Sequence, residues 1–239
     1  MGERHVVALG GGGFSDDDPL IDDFILGLTG KERPRVCFVP TASGDAAAYI
    51  ERFYAAFTRR AAEPSHLPLF QPPYPPIGEQ LLSQDVIYVG GGSTANMLAV
   101  WRIHGIDDVL RRAWERGIVL CGVSAGGLCW FGAGVTDSLG PELVPLRDGL
   151  GILPGSFCPH YDGEPDRRPA YHRFVREKRL PPGLAADDGV ALHFVGTELA
   201  EVVASRPGAA AYGVGADGEV VTETRVEARP LYAEPASGT

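Results

Sequence analysis

Apolar positions along the chain gather into short runs that end at glycine or proline, and these runs alternate with stretches of helical period. His5–Leu9 (HVVAL) runs into Gly10-Gly11-Gly12-Gly13, which predicts a buried strand and a tight loop. Residues 16–28 follow with a helical pattern and an acidic start suited to the positive end of a helix dipole. Arg35–Val39, closed by Pro40, predicts a second strand, and 46–60 a second helix whose Phe53, Tyr54 and Phe57 belong to a core. The proline-rich stretch 64–76 must be extended or looped. Residues 85–89 (DVIYV) form another buried run, closed by Gly90-Gly91-Gly92, with Ser93 or Thr94 placed to cap a helix. Helical patterns over about 94–104 and 106–116 lead to a strand at 117–121, which runs directly into Gly122-Val123-Ser124-Ala125-Gly126.

Strands alternating with helices predict an α/β fold: a mostly parallel sheet flanked by helices on both faces. From about Gly189 the pattern changes to short alternating runs (190–195, 200–204, 219–226) separated by Pro207-Gly208 and Asp217-Gly218. These predict antiparallel strands near the C-terminus, at one edge of the same sheet. No internal repeat or compositional break divides the chain. The reading is therefore one domain over 1–239, with about 230–239 as a flexible tail.

The composition is that of a soluble globular chain, 44% hydrophobic and 22% charged. Glycine (32) and proline (20) are abundant, yet together stay below the roughly 25–30% of low-complexity chains. A net charge of −10 disfavours phosphate backbones, so nucleic acid is not expected as a partner. No apolar run approaches the roughly 20 residues of a membrane span, and the first residues lack the shape of a signal peptide. Cys37, Cys121, Cys129 and Cys158 all lie in apolar contexts with no C-x-x-C pair, which suits buried thiols in a cytoplasmic protein. No metal-ligand spacing appears, the glycine loops lack the P-loop lysine, and no cofactor is expected.

The pattern Gly122-Val123-Ser124-Ala125-Gly126 between strand and helix exposes a serine hydroxyl on a sharp turn at the carboxyl edge of a sheet. The Ala125 amide then points where an oxyanion would form, and the Gly90-Gly91-Gly92 loop can supply a second donor through Gly92. A serine nucleophile needs a base. Of six histidines, His160 is the one that ends a short strand-like run (155–160) at a loop, where catalytic groups of α/β sheets collect. Asp137, Asp162, Asp187 and Asp188 are open as the carboxylate that orients it.

In these residues the chain resembles the peptidase E family of aspartyl dipeptidases, whose relatives include cyanophycinase. The resemblance spans roughly 4–205 and rests on the first glycine loop, Val89-Gly90-Gly91-Gly92-Ser93-Thr94, Gly122–Gly126, Cys158-Pro159-His160-Tyr161 and Ala186-Asp187-Asp188-Gly189. It implies a fold like the class I glutamine amidotransferases, with Ser124 as nucleophile, His160 as base and Asp188 as the third member. The family usually carries Glu where this chain has Asp188, and often Asn where it has Ser93. The resemblance also implies a hydrolase, a serine exopeptidase acting on short peptides with N-terminal aspartate.

Gripping that carboxylate calls for arginine, and Arg167, Arg168 and Arg173 follow His160 closely. Two other readings share the motif. An esterase would order its triad Ser124, Asp137, His160, and a non-catalytic module would bind a small acidic metabolite. A homodimer stays open as a partner, and no membrane partner is expected.

Overall fold

The computed structural model describes residues 2–72, 74 and 76–233. The first half winds through β1 (His5–Leu9), α1 (Pro19–Gly27), β2 (Arg35–Val39), α2 (Ala47–Thr58), β3 (Glu63–His66), α3 (Ile77–Leu82), β4 (Val86–Val89), α4 (Thr94–His104), α5 (Ile106–Glu115) and β5 (Val119–Val123). A single turn, α6 (Ala125–Leu128), then leads to β6 (Phe131–Thr136), β7 (Val144–Leu146), β8 (Leu153–Cys158), α7 (Arg167–Arg176) and β9 (Gly183–Ala186). The chain continues through β10 (Val190–Val195), β11 (Glu198–Ala204), β12 (Ala211–Asp217), β13 (Val220–Val226) and β14 (Arg229–Pro230).

Eight strands form the larger sheet in the order β14-β11-β10-β1-β5-β4-β2-β3. Its β1, β5, β4, β2 and β3 are mutually parallel. Successive residues of these strands serve opposite faces. Val6, Ala8, Ile87, Val89 and Leu120 face the side of α4 and α5, while Val7, Leu9, Val86, Tyr88 and Cys121 face α1 and α2. Covering both faces explains why the strands read as unbroken apolar runs. The fold expected from the sequence, α/β with helices on both faces, is the one observed.

Two local expectations change. The helix expected from residue 16 starts at Pro19, because Asp17 takes a left-handed φ of 56° and Asp18 caps Leu20 N at 3.1 Å. The C-terminal strands also do not all lie at one edge. The β10–β11 hairpin extends the large sheet antiparallel to β1, but β12 and β13 join a second sheet ordered β13-β12-β9-β8-β6-β7. That sheet packs Phe131, Phe157 and Ala211 into the core of the large sheet and carries α7 on its other face through Ala133, Tyr171 and Phe174. Glycine interrupts β6, β8 and β12, and β7 and β9 span only three and four residues, which weakens the periodicity over most of that sheet. Of the tail expected from about 230, Leu231 N still bonds Ala204 O at 2.8 Å, and 234–239 lie outside the described residues.

Candidate active site

The carboxyl ends of β1 and β5 in the large sheet, and of β8 and β9 in the small one, converge on the first glycine loop. Three successive carbonyls there each accept a bond from a different segment. Leu9 O takes Ser124 N at 3.1 Å, Gly10 O takes His160 N at 3.2 Å, and Gly11 O takes Gly189 N at 3.2 Å. The loop is built of glycine because these backbones come too close for side chains. A Cβ on Gly10 would stand 2.4 Å from Asp187 O, and one on Gly11 would stand 2.2 Å from Asp188 Oδ1 and 3.2 Å from His160 Nδ1. The run at 10–13 thus joins strands and loops, a use that its sequence did not reveal.

Ser124 holds φ 55° and ψ −113°, a strained conformation for a residue with a side chain. Glycine neighbours permit it: Cβ atoms on Gly122 and Gly126 would lie 2.4 Å from Gly126 O and 2.2 Å from Val89 O. Only one turn of helix follows, so little dipole accrues, and the amide of Ala125 itself is what the turn presents. The Gly90–Gly92 loop lies alongside, with the Gly91 Cβ position 3.5 Å from Ser124 Cβ. Tyr49 Oη accepts Gly91 N at 3.3 Å and is bonded in turn to Ser15 Oγ. Gly92 has φ 134° and backs onto Ala42 O, where any Cβ would meet it at 2.2 Å. Among the described residues, the Gly92 and Ala125 amides have no backbone or side-chain acceptor.

His160 also has a left-handed φ, 53°. Its Nδ1 lies 2.6 Å from Asp188 Oδ1. The hydrogen bond from His160, with its charge, Arg206 and Arg167 behind it, holds the Asp188 carboxyl below the usual carboxylate range. Asp187 points the other way. It is 3% exposed, and its Oδ2 accepts Ala210 N at 3.0 Å and the Tyr212 hydroxyl at 3.4 Å. Burial raises its pKa. Asp137 is exposed, 3.9 Å from Arg167 Nη2. Asp162 supports the Asp188 backbone through a bond from Asp188 N at 2.9 Å. Of the four carboxylates left open by the sequence, Asp188 is the one on the imidazole.

The other histidines are engaged elsewhere. His5 and His193 pair at 3.0 Å, His66 bonds the Tyr54 hydroxyl at 2.9 Å, and His172 meets Glu223 at 2.8 Å. His104 packs against Tyr74 at the end of α4.

The arginines divide as well. Arg167 is buried, with Nε on Glu164 at 2.8 Å and Nη1 on Val135 O at 3.0 Å. Arg173 lies over Phe174. Arg168 is half exposed, its guanidinium 4.7 Å from both the Tyr161 and Tyr212 rings and its Nε 3.3 Å from Glu223. Tyr161 directly follows His160 in the chain, and Tyr212 bonds Asp187, so this stacked cation lies among side chains attached to the base and acid loops. Arg206, Tyr49 and Glu223 went unnoticed in the sequence, where each is an isolated polar residue in an ordinary turn, helix or strand.

No helix among the described residues is long and apolar enough to cross a membrane. No group of three His, Cys, Asp or Glu side chains there is arranged to hold a metal. All four cysteines are free and buried, and burial pushes the Cys37 and Cys158 thiols up to about 12.

A serine on a strained strand-to-helix turn, and a carboxylate-bonded histidine whose amide hangs on the next carbonyl along, are features shared with enzymes of serine-hydrolase type on an α/β scaffold. Residues 6–202 match peptidase family S51, and the chain belongs to that family of serine peptidases. It is 54% identical over 213 residues to the uncharacterized peptidase YgaJ of Bacillus subtilis, covering 88% of this chain and 92% of that one. It is also 26% identical over 155 residues to Peptidase E of Streptomyces coelicolor, covering 64% and 62% of the two chains. A peptidase from an acI-B1 Actinobacterium shares the fold with a TM-score of 0.68 at 20% identity over 95% of each chain. A putative Peptidase E from Listeria monocytogenes does so at 0.60 and 20%, covering 94% of this chain and all of that one.

Proposed function

We propose that the protein is a serine exopeptidase that releases N-terminal aspartate from short peptides through an acyl-enzyme on Ser124. The observation that carries the reading is the 2.6 Å contact of Asp188 with His160, whose amide shares the rim of β1 with that of Ser124 on successive carbonyls. Ser124 Oγ attacks the scissile carbonyl while His160 Nε2 takes its proton. Asp188 holds the Nδ1–H tautomer and stabilises the imidazolium. The amides of Gly92 and Ala125 receive the developing oxyanion. Collapse of the tetrahedral adduct breaks the C–N bond, and His160 returns the proton to the leaving amine. Water, deprotonated by His160, then hydrolyses the ester and restores the serine.

Selectivity for aspartate falls to Arg168 in this reading. Two rings and Glu223 hold its guanidinium rigid, which lowers the entropy lost on gripping a carboxylate. Arg167, with its donors on Glu164 and Val135 O, supports the base loop instead. The chain acts as one domain with no cofactor. An esterase ordering would need Asp137 on the imidazole, and the ion pair of Asp137 with Arg167 gives that reading no support.

Ser124→Ala is expected to abolish dipeptide hydrolysis and fluorophosphonate labelling while the thermal midpoint is kept. A panel of dipeptides varied at the first residue, assayed on wild type and Arg168→Ala, tests selectivity. Residual turnover by the Ser124 variant would overturn the mechanism. Equal activity of both proteins across the panel would remove Arg168 from specificity.

A further inference from the structure

Asp188 lies in a loop between β9 and β10, outside any sheet ladder, so its short bond to His160 must be set by other groups. Both of its backbone polar groups are taken by side chains. Its amide donates to Asp162 Oδ1 at 2.9 Å, and its carbonyl accepts Arg206 Nε at 3.0 Å. Arg206 Nη2 then closes on Asp162 Oδ2, completing a ring around the Asp188 peptide groups. The ring is itself fastened. Ser205 N donates to Gly189 O at 2.9 Å, and Ser205 Oγ reaches both Gly189 O and the Asp18 carboxylate. Asp162 stands two residues after His160, so one carboxylate ties the base loop to the acid loop.

We propose that Asp162 and Arg206 are positioning residues of this active site, a two-residue clamp that fixes the Asp188 backbone and thereby the orientation of His160. The inference rests on the reading of Asp188 as the partner of His160. Asp162 and Arg206 are 38% and 47% exposed at their side chains, and an ion pair in that much solvent contributes little to stability. What the pair does supply is geometry. Arg206 bridges a carbonyl and a carboxylate with two donors of one rigid plane, which lysine cannot copy. Its cation also favours the ionised form of Asp188.

The test compares Arg206→Gln, Arg206→Lys, Asp162→Ala, Asp162→Asn and the double variant Arg206→Gln/Asp162→Ala. Each is assayed for kcat and KM on the dipeptide best turned over by wild type. The rate of Ser124 labelling by a fluorophosphonate is measured alongside, a reaction that forms the Oγ–P bond, expels fluoride and passes the serine proton to His160. Arg206→Gln and Asp162→Ala should each lower kcat and the labelling rate together by roughly 10–100-fold. KM should stay within about twofold, with thermal midpoints close to wild type. The double variant should lose no more than the worse single one, because the two residues act as a unit. Asp162→Asn, which keeps an acceptor for the Asp188 amide, should lose less than Asp162→Ala, and Arg206→Lys should recover only part of the loss.

Wild-type kcat and labelling rates in folded Arg206→Gln and Asp162→Ala would overturn the clamp, as would a change in KM alone. Should either variant fail to fold, unaltered kinetics in Asp162→Asn and Arg206→Lys would overturn it equally. A wild type that reacts with no fluorophosphonate would instead overturn the reading of Ser124, and the clamp with it.

Discussion

Ser124 and His160 hang on neighbouring carbonyls, at the end of β1 and the start of the glycine loop after it, but the surroundings that hold them differ in kind. Around Ser124 the support is backbone packed on backbone: Gly122, Gly126 and Gly92 leave no room for side chains, and the strands beneath are apolar on both faces. Around His160 and Asp188 the support is ionic and polar, through Asp162, Arg206, Arg167 with Glu164, and Tyr161 with Glu223. Close packing resists deformation in every direction and makes a strained φ affordable. Polar networks fix direction and charge, at the expense of sensitivity to each member. Both residues hold a positive φ. In the proposed mechanism Ser124 attacks from a fixed turn while His160 is aimed and carries a charge, and each half has the support its proposed role requires.

The contrast has measurable consequences. The largest is expected at Gly126→Ala, whose Cβ would stand 2.2 Å from Val89 O, a backbone atom inside the large sheet. The loss should be about 3 kcal/mol or more, read as a lowered urea midpoint, with activity falling because the elbow opens. Gly163→Ala makes a similar collision in the polar half, 2.0 Å from Asp188 Oδ2, but a side chain can swing aside. Its thermal midpoint should hold while kcat/KM drops roughly 100-fold, below the ~10⁴ that follows loss of a triad carboxylate's function. Equal destabilisation by the two alanines would erase the distinction between the halves.

The large-sheet half buries an acid, Asp22, and its behaviour tests whether that half tolerates charge. Asp22 Oδ1 accepts the Tyr88 hydroxyl at 3.3 Å, Arg60 Nη2 lies 3.6 Å from Oδ2, and burial raises the pKa from 3.8 to about 7. A folded-state pKa above the unfolded one means that the native chain holds the extra proton between those values. Stability from this group is therefore complete below about pH 4 and is lost as the pH rises to about 7. Asp22→Asn should be more stable than wild type at pH 8, by on the order of 1–3 kcal/mol, and nearly equal to it at pH 4. An asparagine variant less stable at pH 8 would show that the charge is well accommodated there.

Tyr49→Phe is expected to have the smallest effect. It removes the acceptor from Gly91 N and the partner of Ser15, among the described residues the one side-chain hydrogen bond reaching the Gly90–Gly92 loop beside Ser124. A fall in kcat of roughly threefold to tenfold, with KM unchanged, matches the loss of one neutral hydrogen bond. A larger fall would mean that the nucleophile half also leans on polar support.

The nucleophile turn and its strand were readable because they depend on residues within a few positions: an apolar run, small flanking residues and a serine between them. His160 was readable for the same reason, as a histidine at a strand end. Asp188 was singled out only through the resemblance to peptidase E, since Asp137, Asp162, Asp187 and Asp188 look alike one residue at a time. The second sheet was not readable. β13 reads as an alternating run, yet nothing local assigns it to a separate sheet, and β9 finds partners in β8 and β12 rather than in its sequence neighbour β10.

Composition and local pattern by themselves determined that this chain folds as a helix-covered α/β sheet and that a serine stands on a tight turn at one strand end. Both follow from periodicity and from where a Cβ is missing, which are properties of adjacent residues. Tertiary structure decided what no local pattern could: which carboxylate meets the imidazole, which arginines are already committed, and why the first loop is glycine. Those outcomes turn on contacts such as His160 with Asp188 and Gly11 with Gly189, where the register of distant segments, and not the identity of either residue, sets who touches whom.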